Sequence, residues 1–162
     1  MKRLCMLFVC ACVSLATVFA AEGPFGIGIV FGEPTGVSFA YRLGSKNTLQ
    51  GTLAWDLTSP GGFTVAGDYL FLFDKTLKIE KTWIPLYAGI GAKLTVLMGG
   101  GKYGDVDSPI GICARVPLGV RWLFIDVPLE AFLEIVPGFR FIPDTAFDFG
   151  AGIGLRWYFK GK

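Results

Sequence analysis

The chain has 162 residues, enough for one domain, and combines 52% hydrophobic residues and 23 glycines with only 17% charged residues. This composition, with a mean hydropathy of +0.56, is unlike that of an ordinary soluble domain. It also argues against a helical membrane protein with several spans, because each span needs about 20 consecutive apolar residues; only residues 4–20 approach that length.

The N-terminus has the layout of a secretory signal peptide, residues 1–20. Lys2 and Arg3 form its positive region, an apolar run follows, and small residues occupy the cleavage positions, so we expect cleavage after Ala20. The alternative, an uncleaved anchor helix, would be short for a membrane span. Cleavage would leave residues 21–162 as one domain with 13 basic residues (15 minus Lys2 and Arg3) and 13 acidic residues. The net charge therefore gives no support for binding to nucleic acid, and the lone Cys113 allows no intramolecular disulfide.

Eight stretches of the mature chain alternate between apolar and small or polar residues, and this period of two predicts β-strands. Pro117 and Pro137 fall within predicted strands, where proline lacks the N–H for the ladder, so we expect bulges or strand ends there. Residues 74–84 are polar and basic and predict a hairpin end outside the apolar band. The predicted strands comprise residues 25–32, 37–43, 49–57, 63–73, 86–96, 110–124, 129–141 and 148–159.

The last predicted strand shows the pattern most clearly. One face carries large apolar residues such as Phe149 and Ile153, and the other is mostly glycine with one arginine, Arg156. This pattern suits a strand whose apolar side meets lipid and whose other side lines a narrow barrel. The aromatic residues at the end of the strand, Trp157 to Phe159, would lie at a membrane interface. We expect the strand to carry the C-terminal strand signal, formed by Leu155, Trp157, Tyr158 and Phe159.

Charged residues within the predicted strands all share the glycine-and-polar parity. A lipid-facing charge near the membrane midplane would cost about 2–4 kcal/mol, which accounts for this segregation. The pattern predicts an all-β fold, an eight-stranded antiparallel up-and-down transmembrane β-barrel. Because so narrow a barrel has room only for side chains or one small ligand, and buried charges must pair, we expect an interior charge network. Its predicted members are Arg42, Asp56, Asp68, Lys93, Arg115, Arg121, Glu130, Glu134, Arg140 and Arg156.

Several short motifs carry a resemblance to a known group of proteins. They are residues 32–36, 68–71, 85–91, 115–119 and 128–137, together with the closing strand. As a set they resemble small bacterial outer-membrane β-barrels of the eight-stranded outer-membrane protein A and X types, and more narrowly an uncharacterised family of exported barrels. The resemblance implies export through the secretory pathway to the outer membrane of a bacterium, contact with outer-membrane lipid and with the barrel assembly machinery, and no catalytic residues.

The absence of histidine from the sequence removes the usual general base and the usual transition-metal ligand. Glu130 and Glu134 share a face, four residues apart, but are better explained as counter-ions for inward arginines. We therefore predict no enzyme activity, no cofactor and no metal site. Three functions stay open: a structural or interaction role for a filled, monomeric barrel; a narrow channel or carrier for a small solute, favoured by six inward basic against four acidic residues; and a soluble lipocalin-like carrier with the apolar parity inside.

Overall fold

The computed structural model describes residues 23–56, 62–79, 82–97, 110–124 and 127–159. The predicted signal peptide, residues 1–20, lies outside the described residues, as do the turns at 57–61 and 98–109. No helix in these ranges is long and apolar enough to cross a membrane. The described strands are β1 Phe25–Gly32, β2 Gly36–Arg42, β3 Asn47–Asp56, β4 Gly62–Ile79, β5 Thr82–Leu97, β6 Ile110–Arg115, β7 Leu118–Leu123, β8 Leu129–Ile142 and β9 Ala146–Phe159.

The strands close into a ring. Strands β1 to β5 pair antiparallel in chain order, β8 pairs with β9, and β1 closes the ring by pairing with β9 as well as β2. Segments β6 and β7 share one position in the ring, since each pairs with β5 on one side and β8 on the other. The described chain is therefore an eight-stranded up-and-down barrel whose sixth strand is interrupted, and the predicted fold is confirmed.

The interruption lies at Val116 and Pro117, where a bulge or a strand end was predicted. The pairing with β5 is in the same register before and after it, because Arg115 pairs with Gly91 and Leu118 pairs with Ala88. The carbonyl of Pro117 still accepts a hydrogen bond from a backbone N–H of β5, at 2.8 Å. The sixth strand therefore contains no bulge at this point. The ladder with β5 is interrupted because Pro117 has no N–H to donate.

The prediction of a bulge or strand end at Pro137 is wrong. Strand β8 continues through Pro137, which pairs with Phe149, and its carbonyl accepts a hydrogen bond from the N–H of Val116, at 2.8 Å. The missing N–H of Pro137 faces Val116, where the neighbouring strand is already interrupted, so the two prolines weaken one place in the wall. The register shift of β8 lies instead opposite the pair Ile112 and Cys113.

The hairpin between β4 and β5 is longer than predicted. Residues expected to form a hairpin end belong to the strands, whose ladder reaches the pair Ile79 and Thr82 after a register shift between Phe73 and Leu77. Residues 82–84, Thr-Trp-Ile, favour strand structure, which explains the continuation despite the nearby lysines.

The two faces of the barrel wall differ in the way the parity predicts. Large apolar side chains lie on the outside, among them Ile90 at 63% exposure, Ile153 at 60% and Phe147 at 70%. The inward parity of β9 is buried at each position from Gly150 to Tyr158. An exposed apolar belt around a barrel is the surface that a bilayer covers. A soluble carrier requires the opposite arrangement, which the described strands do not have.

Candidate functional site: the interior charge network

Nine of the ten predicted interior charges have described side chains; the side chain of Asp56 lies outside the described part of the structure. Six of the nine are buried, namely Asp68, Arg115, Arg121, Glu130, Glu134 and Arg156. The other three, Arg42, Lys93 and Arg140, are half-buried. We call the end of the barrel with Phe25 and Phe159 the terminal end, and the end with Gly32 and Ala146 the opposite end.

Arg156 is the centre of the network. Its guanidinium donates to Ser38 Oγ from Nε at 3.0 Å and from Nη2 at 2.8 Å, and to Glu130 Oε1 from Nη1 at 2.9 Å. Nη2 also donates to Gln50 Oε1 at 2.5 Å, and Cζ lies 3.8 Å from the centroid of the Phe132 ring. Glu130 is directly opposite Arg156 in the β8–β9 ladder, so the register itself sets this ion pair. One side chain thereby joins β2, β3, β8 and β9 from the inside.

Glu134 is the second acceptor, one layer further from the terminal end. Its Oε2 accepts hydrogen bonds from Gln50 Nε2 at 3.0 Å and from the Tyr87 hydroxyl at 2.8 Å. Gln50 therefore bridges two charged groups, since its carbonyl accepts from Arg156 while its amide nitrogen donates to Glu134. Charge-assisted bonds of this kind are stronger than neutral ones, so the amide joins the two layers of the network.

Asp68 and Arg115 extend the network towards β4 and β6. Arg115 Nε lies 3.0 Å from Asp68 Oδ1, but its N–H does not point at that oxygen, so the contact is an ion pair without an aligned hydrogen bond. Arg115 Nη2 is also 3.9 Å from Glu134 Oε1, and Gln50 Nε2 donates to Asp68 Oδ2 at 3.4 Å. Arg115 thus lies between two buried carboxylates.

At the terminal end, the side chains of the network surround Oε2 of Glu130. Glu130 Oε2 accepts a hydrogen bond from the Tyr158 hydroxyl at 3.1 Å, while Arg121 Nη1 lies 3.6 Å and Arg42 Nη2 3.9 Å away. The Arg42 guanidinium stacks on Tyr158, with Cζ 3.6 Å from the ring centroid. Glu130 is therefore the carboxylate on which three arginines converge.

Two predicted residues lie apart from this centre, towards the opposite end. Lys93 forms an ion pair with Asp148, and Cys113 Sγ lies 3.6 Å from Asp148 Oδ2. Arg140 pairs with Asp144 at 3.0 Å on the rim, where the Asp144 side chain is 51% exposed. The interior network is thus continuous from Arg42 to Asp68, while among the described residues Lys93 pairs with Asp148 and Arg140 with Asp144.

Comparison with known proteins bears on the fold. The crystal structure of the N-terminal β-barrel domain of Pseudomonas aeruginosa OprF superimposes on this chain with a TM-score of 0.65, covering 86% of this chain and 100% of that domain. This chain has the barrel fold of that domain. The sequences are 14% identical, so the likeness concerns the fold. No protein-family model and no curated protein matches the chain.

Sequence reasoning missed one charged member of the interior and the neutral residues that join the others. Asp148 lies on the same parity as the inward glycines of β9, so the alternation could have identified it, but it stood at the expected start of the strand. Ser38, Gln50 and Tyr87 have the inward parity of the predicted strands 37–43, 49–57 and 86–96, but parity does not show their role. Which charges they join depends on strands far apart in sequence, and no local pattern encodes it.

The network consists of charge pairs and hydrogen bonds between side chains of different strands. No group of three or more potential metal ligands occurs among the described residues. The phenols of Tyr87 and Tyr158 donate to carboxylates, and the guanidinium of Arg156 faces a carboxylate, an amide and a hydroxyl. What this arrangement does is tie opposite walls of the barrel together and fill the space between them.

Proposed function

We propose that this chain is an outer-membrane β-barrel protein with a filled interior and a structural or interaction role in the cell envelope, without enzyme activity. The observation that carries the proposal is the burial of the charged centre: Arg156 and Glu130 are each 2% exposed and Glu134 is 5% exposed. The charged side chains lining a water-filled channel are accessible to that water. The low exposure of these side chains supports a centre closed to water.

The energetics of the interior support the same conclusion. A buried charge is stable only when it is paired and hydrogen-bonded. Arg156 and Glu130 meet this condition, and Ser38 and Gln50 accept further hydrogen bonds from Nε and Nη2 of the arginine. Opening a pore here would break several charge-assisted bonds together. The network therefore favours one closed conformation.

The proposed location and partners rest on the outer surface and the C-terminal strand. The apolar belt suits contact with lipid, and the barrel fold supports a location in the outer membrane of a bacterium. The predicted signal peptide would direct export to that membrane. We infer that the barrel assembly machinery recognises the last strand through Leu155, Trp157, Tyr158 and Phe159. We infer also that the barrel acts as a monomer, because its ring of strands is complete within one chain.

Planar-bilayer conductance of the refolded mature chain tests the proposal, with insertion checked by heat-sensitive gel mobility. The wild-type protein should insert and remain silent. The double variant Arg156→Ala/Glu130→Ala, which removes the central pair, should show conductance steps. Arg140→Ala, a matched loss of an arginine at the rim, should stay silent. Reproducible steps from the wild-type protein would contradict the filled interior.

A narrow channel for small solutes is the second candidate, and the excess of basic side chains favours it. Apart from the rim pair Arg140 and Asp144, the described interior holds five basic side chains and four acidic ones, Asp148 included. Such a channel would prefer anions. If the wild-type protein conducts, Arg121→Glu should reduce that preference, and an unchanged selectivity would contradict this candidate.

A further inference from the structure

The terminal end of the barrel interior holds an arginine whose charge is weakly matched. The Arg42 guanidinium stacks on the ring of Tyr158, and its side chain is 22% exposed. Among the described residues its carboxylate neighbour is Glu130, at 3.9 Å, beyond hydrogen-bond distance. Both oxygens of Glu130 already accept closer donors, from Arg156 at 2.9 Å and from Tyr158 at 3.1 Å. Arg42 therefore shares a carboxylate that other groups occupy.

Two buried polar atoms beside this arginine have no hydrogen-bond partner. They are Nε of Arg42 and Oγ1 of Thr48, and Thr48 is only 2% exposed. The two residues are directly opposite each other in the β2–β3 ladder, on the inward face. Buried polar groups are nearly always satisfied, by protein, water or a bound species, so the unmatched Nε of Arg42 and the unmatched hydroxyl of Thr48 indicate a place for an acceptor.

We propose that the terminal end of the interior binds one small oxyanion, a phosphate or carboxylate group, on Arg42 and Thr48. A guanidinium presents donors in a planar fork that matches such groups. Stacking on Tyr158 holds this fork in place. The partial exposure of Arg42 gives access from the water at this end, so the site does not depend on whether the barrel conducts.

The anion could be free phosphate or the phosphate of a lipid headgroup, and the test distinguishes the two. The 15N-labelled mature protein is refolded in uncharged octyl glucoside micelles, and inorganic phosphate is titrated at constant ionic strength against chloride. The Nε–Hε signal of Arg42, identified by its loss in Arg42→Gln, should shift saturably with phosphate. A second titration uses the short-chain lipid dihexanoyl phosphatidylglycerol. If both ligands saturate the signal, the site accepts the phosphate of a lipid headgroup as well as free phosphate. If only inorganic phosphate saturates it, the site binds the free anion.

Variants separate this site from general charge effects. Binding, followed also by calorimetry, should weaken at least about tenfold in Arg42→Gln and about threefold in Thr48→Val, the ranges expected for a charged and a neutral hydrogen bond. Arg140→Gln, at the opposite rim, should bind like the wild-type protein. Heat-sensitive gel mobility shows whether each variant folds. If Arg42→Gln does not fold, the binding measurement on Thr48→Val tests the site instead. An Arg42 signal that responds equally to chloride, or to neither ligand, would mean that water alone satisfies these donors, and would overturn the proposal.

Discussion

Replacing Arg156 by methionine is the sharpest test of a dry, bonded interior. The substitution keeps much of the apolar stem but removes every guanidinium contact, including the 2.9 Å bond to Glu130. Glu130 would keep its hydrogen bond from the Tyr158 hydroxyl, at 3.1 Å, but its remaining charged neighbours, Arg121 at 3.6 Å and Arg42 at 3.9 Å, are more distant. Breaking a buried ion pair by removing one partner costs about 3–5 kcal/mol, since it leaves an uncompensated buried charge. We expect a loss of that size in the free energy of unfolding.

The assay is urea unfolding in lipid vesicles, followed by tryptophan fluorescence and gel mobility. The double variant Arg156→Met/Glu130→Gln should recover part of the loss, because it removes the orphaned charge together with its partner. Arg140→Met is the matched control: it breaks a pair whose acidic partner is 51% exposed, and such pairs contribute about 0–1 kcal/mol. A cost below about 1 kcal/mol for Arg156→Met would refute the reasoning, since it would mean that water already solvates the interior charges.

Two further predictions concern the space inside the barrel. Gly154→Ala should destabilise the fold by about 1–3 kcal/mol, as overpacking does, because a Cβ there would lie 2.3 Å from the Phe132 ring; Gly67→Ala, where a Cβ meets nothing within 4 Å, should be neutral in the same unfolding assay. Cys113, 1% exposed, should react with a maleimide only as fast as the barrel unfolds. Immediate labelling of folded protein would show that water reaches the interior.

The fold could be predicted from the sequence because a membrane barrel constrains every strand residue separately. In β9 the odd-numbered positions face outward and the even-numbered positions face the interior, so the faces of Phe149 and Arg156 follow from their positions in the strand alone. The prolines were harder to interpret. Pro117 interrupts its strand, as expected, but Pro137 does not, since its missing donor faces Val116 where the adjacent strand is already broken. The effect of one proline depended on the other, and only the register brings them together.

Partner choice inside the barrel could not be predicted, because it depends on ring closure. Gln50 and Glu134 are 84 residues apart and bond across the interior. Arg140 has the same parity as Arg156, yet its position near the rim gives it a local partner, Asp144, four residues along the chain. Parity assigns a face; the height along the barrel axis decides which charges meet, and that height is set by the stagger of strands from opposite sides of the ring.

The high glycine content and the filled interior have one physical cause. Gly26 lies against Tyr158, where a Cβ would come within 2.9 Å of the ring, and Gly154 lies against Phe132 in the same way. A narrow ring can hold stacked arginines and buried phenols only where the facing wall carries no side chain. The glycines of the inward parity therefore provide the space that the network occupies. A change that enlarges one of them should act on the hydrogen bonds of the network as well as on packing, because the aromatic rings it displaces are those on which Arg42 and Arg156 stack.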